Sequence, residues 1–283
     1  MWKVAVTMGA AVFGCCLRSA YERKYFSVSV YELISKKIQT EKTFVFLSDL
    51  HDNWFGKGQE RLLKEIDNVK PDAILIGGDM MVVKEQARLE TTLFLAGQLV
   101  QRYPVYYGNG NHENRMDRKR YLYGNQYDIL VEELEKLGVC HLSNASVQLD
   151  QEICISGLNL DRSYYKKFAS EKMEVSYIEE RLGKAASNQY QILLAHSPLF
   201  RKTYAEWGAD LTLSGHFHGG TIGVPILGGL MTPQFHFFKD CCKGSLKTGN
   251  KMMIVSRGLG THSINFRLNN QAELIAVKIR PAG

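Results

Sequence analysis

Five short motifs carry the residue types that could do chemistry: Asp49-Leu50-His51, Gly77-Gly78-Asp79, Gly110-Asn111-His112-Glu113, Ala195-His196-Ser197 and Gly215-His216-Phe217-His218. They hold five of the chain's eight histidines, and each motif closes an apolar run. Imidazole nitrogens, carboxylates and a carboxamide form a mixed nitrogen and oxygen donor set suited to divalent metals. Singly, the motifs have plainer explanations. An Asp before a helix is commonly an N-cap, an Asp after two glycines a turn residue, and a lone His after a strand a satisfied core residue. Five together, in this order, favour a site for more than one metal ion. Such sites serve hydrolysis at phosphorus.

The elements that must position these residues follow from hydrophobic pattern. Phe44 to Leu47 and Ala73 to Ile76 are continuous apolar runs, as in strands buried on both faces. Leu62, Leu63, Ile66 and Val69 mark a helical face that Pro71 ends. A helix over about 86–101 precedes a strand from Pro104 to Tyr107. This strand–helix alternation predicts a mainly parallel sheet with right-handed crossovers. Beyond a helix over 127–137, strands are predicted at 147–149, 153–156, 191–194, 211–213, 251–255 and 274–279, with a helix at 176–182. Asp49, Asp79, Asn111, His196 and His216 all fall just past the carboxyl ends of predicted strands, where open α/β sheets gather ligands. Flanking glycines, among them Gly77, Gly78, Gly108, Gly110, Gly215, Gly219 and Gly220, allow tight turns there.

The organisation reads as an N-terminal apolar segment and lead-in over 1–40, then a single domain with two sheets over 41–283. Val4 to Leu17 is shorter than the roughly 20 apolar residues of a spanning helix. An anchor, a signal core and a packed helix all remain open for it. A net charge of +6 is spread along the chain and speaks against a nucleic-acid groove. The six cysteines show no zinc spacing and no disulfide framework.

Read together, Asp-x-His, Gly-Asp, Gly-Asn-His-Glu, His and Gly-His-x-His in this order closely resemble the calcineurin-like metallophosphoesterase superfamily, over about Thr43 to Gly220. The tail Val255-Ser256-Arg257-Gly258-Leu259-Gly260 and the apolar N-terminus look like its bacterial membrane-linked phosphohydrolase branch, related to UDP-diacylglucosamine hydrolases. The resemblance implies a four-layer α/β/β/α sandwich of two mixed sheets with two divalent metal ions at the rim. Position by position, Asp49, His51, Asp79 and His218 would hold one ion, and Asp79, Asn111, His196 and His216 the other. His112 would be catalytic rather than a ligand. Manganese is the leading choice of metal, with iron or zinc also fitting.

What is implied is a phosphodiesterase in which two cations lower the pKa of a bridging water and align the resulting hydroxide on phosphorus. His112, if protonated, would donate to the leaving alkoxide. The substrate would be a small or lipid-linked phosphoester. Membrane contact would run through residues 1–20, and the location would be cytoplasmic or membrane-associated in a bacterium. One departure matters. Phosphoprotein phosphatases follow Gly-Asp with a further Asp and Arg, whereas Val82 stands here where that Asp would orient the catalytic His. This argues against a protein phosphatase and leaves Glu113 as an orienter by adjacency alone. Arg115, Arg118 and Arg257 are expected to be solvated, and His141, His236 and His262 to be structural or surface residues. The competing readings are a non-catalytic scaffold of the same fold and a nuclease, whose affinity would fall steeply with salt.

Overall fold

The computed structural model describes residues 2–84, 87–166, 172–220, 223–224, 228–229, 240–261 and 265–283. Its strands are β1 (Phe26–Ser35), β2 (Lys42–Leu47), β3 (Ala73–Ile76), β4 (Val105–Gly108), β5 (Cys140–Leu142), β6 (Ala145–Gln148), β7 (Ile153–Leu158), β8 (Tyr190–Ala195), β9 (Leu211–Ser214), β10 (Gly223–Val224), β11 (Gly228–Gly229), β12 (Gly244–Thr248), β13 (Lys251–Val255) and β14 (Ala272–Pro281). The α-helices are α1 (Trp2–Lys24), α2 (Glu60–Val69), α3 (Glu90–Val100), α4 (Asn111–Arg118), α5 (Arg120–Tyr123), α6 (Gln126–Leu137), α7 (Val175–Leu182) and α8 (Arg201–Trp207).

Two six-stranded sheets result, ordered β1-β14-β2-β3-β4-β5 and β12-β13-β9-β8-β7-β6. Within them β2, β3, β4 and β5 run parallel, as do β7, β8, β9 and β13, while β14 meets β2 antiparallel. The sheets are therefore mixed. Period-two alternation explains the layers even where the apolar runs are continuous. Phe44 and Phe46 turn inward between the sheets with Leu194, Leu213 and Ile254. Their neighbours Val45 and Leu47 turn outward onto Leu62, Leu63, Ile66, Leu95 and Leu134 of the helices. On the second sheet Leu193, Ala195 and Val255 face outward against Ile178, Tyr204 and Trp207. Three cores separate four layers, the α/β/β/α sandwich anticipated from sequence.

Two N-terminal elements go beyond that reading. Residues 26–35 form β1, paired in parallel along its full length with β14. Trp2–Lys24 is one helix whose C-terminal end is docked: Ser19 is 2% and Glu22 0% exposed, while Val12, Phe13 and Leu17 remain open. Among the described residues, no helix is long and apolar enough to cross a membrane.

Candidate metal centre

The loops after β2, β3, β4, β8 and β9 meet at one rim. They bring Asp49, His51, Asp79, Asn111 and His112 from the first sheet to His196, His216 and His218 from the second. Asp49, His51, Asp79, His216 and His218 all lie at positive φ, between 47° and 69°. Non-glycine residues seldom adopt this region, and each such residue stores on the order of 1–3 kcal/mol of strain, typically at functional sites. Glycine is required beside them. A Cβ on Gly78 (φ 86°) would lie 2.0 Å from the Gly110 nitrogen, and one on Gly215 would lie 2.1 Å from both Asp49 Oδ2 and Ser48 Oγ.

Among the described residues, three groups of donor atoms cluster within 4.8 Å of one another: Asp49, His51 and His218; His51, Asp79 and His112; and Asp79, His196 and His216. His51 Nε2 faces His218 Nε2 at 3.2 Å, and Asp49 Oδ1 lies 3.3 Å from the latter. His196 Nε2 lies 3.2 Å from Asp79 Oδ2. Among the described residues, Asn111 Oδ1, His196 Nε2 and His216 Nε2 are shut off from solvent without a hydrogen-bond partner. Buried polar atoms are rarely left so. A cation accepting their lone pairs accounts for all three, so the donor set fits divalent metal.

Hydrogen bonds at the far ring nitrogens divide the histidines. His196 Nδ1 lies 2.7 Å from the Gly77 carbonyl and His218 Nδ1 lies 3.2 Å from that of Gly260. Each Nδ1 therefore carries a proton, which leaves each Nε2 facing the site as the atom that offers its lone pair to a metal once any second proton is displaced, as metal-ligating histidines require. His112 is the reverse. The Val83 N–H donates to its Nδ1 at 2.7 Å, which puts the ring proton on Nε2, 4.0 Å from Asp79 Oδ2. This backbone group orients the ring in place of the missing Asp. Glu113 does not: its carboxylate accepts from the Asp79, Met80 and Gly110 N–H groups and from the Tyr107 hydroxyl, tying the β3 and β4 loops together.

Charge follows geometry. Burial raises the Asp49 carboxyl despite His196 nearby. Burial likewise opposes ionisation of Asp79, yet His196 and His112 hold it well below its usual value. Burial would lower His196, but Asp79 and Asp49 push it up to about 10. Burial holds His51 and His216 well below the usual imidazole range. Two buried carboxylates thus draw positive charge onto the one histidine between them, and divalent metal would displace that proton.

Two of the arginines are less solvated than expected: Arg257 bonds to Ser27 and Glu273 and Arg115 to the Val83 carbonyl, both partly buried, while Arg118 is exposed as anticipated and donates to the Asn114 carbonyl. His141 is structural, bonded to Asn109 Oδ1 at 2.8 Å. His236 and His262 lie outside the described residues. Sequence reasoning missed Arg267. It is 1% exposed and donates to the carbonyls of Arg257, Gly258, Gly260 and Asn270. A cavity of about 320 Å³ opens beside His51, bordered by Arg23, Asn53, Leu259, Thr261 and Arg267.

This rim of paired Asp and His donors is matched by a family model for calcineurin-like phosphoesterases over residues 42–220. The chain belongs to that family. Among curated relatives, an uncharacterized metallophosphoesterase of Aquifex aeolicus (strain VF5) is 26% identical over 99% of both chains. The phosphodiesterase YaeI of Escherichia coli (strain K12) is 25% identical over 83% of this metallophosphoesterase and 81% of its own length. A bovine transmembrane protein with metallophosphoesterase domain is 27% identical over 84% of this chain, which spans only 53% of that relative.

Proposed function

We propose that this phosphoesterase is a dinuclear phosphodiesterase, with Asp49, His51, Asp79 and His218 around one divalent ion and Asp79, Asn111, His196 and His216 around the other. The observation that carries the reading is the inverted hydrogen bonding of the histidines. His196 and His218 offer lone pairs from Nε2, whereas His112 offers a proton from Nε2. The ligand and hydrogen-bond-donor roles of these residues rest on that difference. When bound, the two ions supply a water of lowered pKa and a clamp for phosphoryl oxygens. His112 Nε2–H then donates a hydrogen bond to the leaving oxygen as negative charge grows on it, while Val83 keeps the ring from turning. The likeness to YaeI favours diesters over monoesters.

The finer assignment is a bacterial membrane-linked phosphohydrolase related to UDP-diacylglucosamine hydrolases, with manganese, iron or zinc bound. Residues 41–283 would form its catalytic domain, and residues 1–20 would rest on a lipid surface. The exposed Val12, Phe13, Leu17 and Tyr21 on α1 support that contact, and the cavity of about 320 Å³ beside His51 is of a size for a polar headgroup. The test is hydrolysis of bis-p-nitrophenyl phosphate against p-nitrophenyl phosphate by chelator-stripped protein with Mn²⁺ returned. Metal-dependent cleavage favouring the diester is expected. Preference for the monoester would overturn the diesterase reading, and no cleavage with Mn²⁺, Fe²⁺ or Zn²⁺ would favour a scaffold.

A further inference from the structure

The short 3-10 turn Arg162–Tyr165 lies against the centre without contributing a ligand. The Tyr165 ring meets His216 edge-on, with centroids 5.1 Å apart at 73°, and lies 6.3 Å from His196. Its hydroxyl oxygen is closed to solvent and has no hydrogen-bond partner among the described residues. That is anomalous for a tyrosine, whose O–H is almost always partnered when buried. Burying it unpaired costs stability that folding alone does not explain.

The orphaned atoms of the metal centre, on whose histidines the Tyr165 ring packs, supply the explanation. Asn111 Oδ1, His196 Nε2 and His216 Nε2 each present a lone pair, which a cation satisfies. A phenol is ordinarily protonated at neutral pH and presents a donor. A donor beside cations needs an anion, and the anion such a centre holds is the phosphoryl group. The flank around Tyr165 is already positive. Arg118 lies there, with Arg162 and Arg115 close enough that burial and their charges lower its pKa, against smaller opposing effects of Tyr165 and Asp161.

We propose that Tyr165 is a further catalytic residue, whose hydroxyl donates a hydrogen bond to a non-bridging phosphoryl oxygen of the bound ester. The bond strengthens as negative charge grows on that oxygen in the transition state, so it favours the transition state over the ground state. The inference rests on the phosphoesterase reading above and adds a donor to it.

Tyr165→Phe tests it, because the ring against His216 is retained and only the O–H is removed. Three readouts are needed: thermal midpoint in chelator, affinity of the Mn²⁺-loaded protein for inorganic phosphate, and kcat on bis-p-nitrophenyl phosphate. The expected result is an unchanged or higher midpoint, unchanged metal content, phosphate affinity weakened roughly ten-fold and kcat lowered roughly 10- to 100-fold. A midpoint lowered by several degrees would make the hydroxyl a structural group and overturn the proposal. Phosphate affinity and kcat within two-fold of an active wild type would overturn it too, leaving the phosphodiesterase reading intact. A metal-loaded wild type that neither binds phosphate nor cleaves the ester would overturn both.

Discussion

At the level of single residues, what a histidine does here depends on what its far nitrogen meets. A carbonyl at Nδ1 frees the lone pair of Nε2 in His196 and His218. An N–H at Nδ1 puts the proton on Nε2 in His112. His112→Ala is therefore expected to keep its metal content while kcat falls roughly 10²- to 10³-fold, the range for removing one donor to a developing negative charge. Metal analysis beside turnover checks this, and loss of one ion would make His112 a ligand. His141 gives a prediction of a different kind. Burial lowers it to about 4, against roughly 6.5 in the unfolded chain. Its folded pKa is depressed, so the unfolded chain takes up the proton first. The stability it contributes is present above pH 6.5 and is lost as pH falls toward 4, by about 2–3 kcal/mol. Urea unfolding at pH 7.5 and 4.5 in chelator measures this loss. The His141→Gln variant should lose less than wild type over the same interval, and equal losses would refute the assignment.

Among the elements, the loop from Arg257 to Gly260 and the docked end of α1 support the His218 side of the centre. Arg267 gathers four main-chain carbonyls, Asn270 donates to the His218 carbonyl, and Glu22 of α1 accepts from the Asn270 N–H. Arg267→Met strands those carbonyls and is expected to cost about 3–5 kcal/mol, the range for breaking a buried polar network. It should also weaken metal binding on the His218 side. Arg267→Lys should rescue little, since one ammonium cannot reproduce a planar fork. Urea midpoints and metal titration report both effects, and a Met variant equal to wild type in each would refute this role. The five motifs and strands β2, β3, β4, β8, β9, β13 and β14 were legible because both signals are local: apolar runs and the polar residues that end them. What was missed is non-local or has no side-chain signature. The alternation Phe26-Ser27-Val28-Ser29-Val30 fits a strand, but β1 finds its partner in β14, more than 240 residues away. The group that orients His112 is a backbone N–H of Val83, which no residue type announces. Tyr165 and Arg267 gain their roles only from what folding brings beside them.

Across the whole molecule, the centre spans the seam between two sheets. Asp49, His51, Asp79 and Asn111 come from the first sheet, and His196, His216 and His218 from the second. Without metal, that seam holds two buried carboxylates, unpaired donor atoms and five strained backbone positions. Metal bound there would act as a cross-link available only to the folded chain. At a free Mn²⁺ concentration 100 times the Kd, one such site adds about 2.7 kcal/mol. For a chain of this size that raises Tm by about 5 °C. Thermal unfolding in chelator and in Mn²⁺ measures the shift, and equal midpoints would refute metal binding at the seam. Asp79→Asn removes the carboxylate proposed to serve both ions and should abolish most of the rise. His112→Ala should retain the full rise because its ring supplies a proton rather than a lone pair. Those two variants, compared by midpoint alone, separate holding the metal from using it.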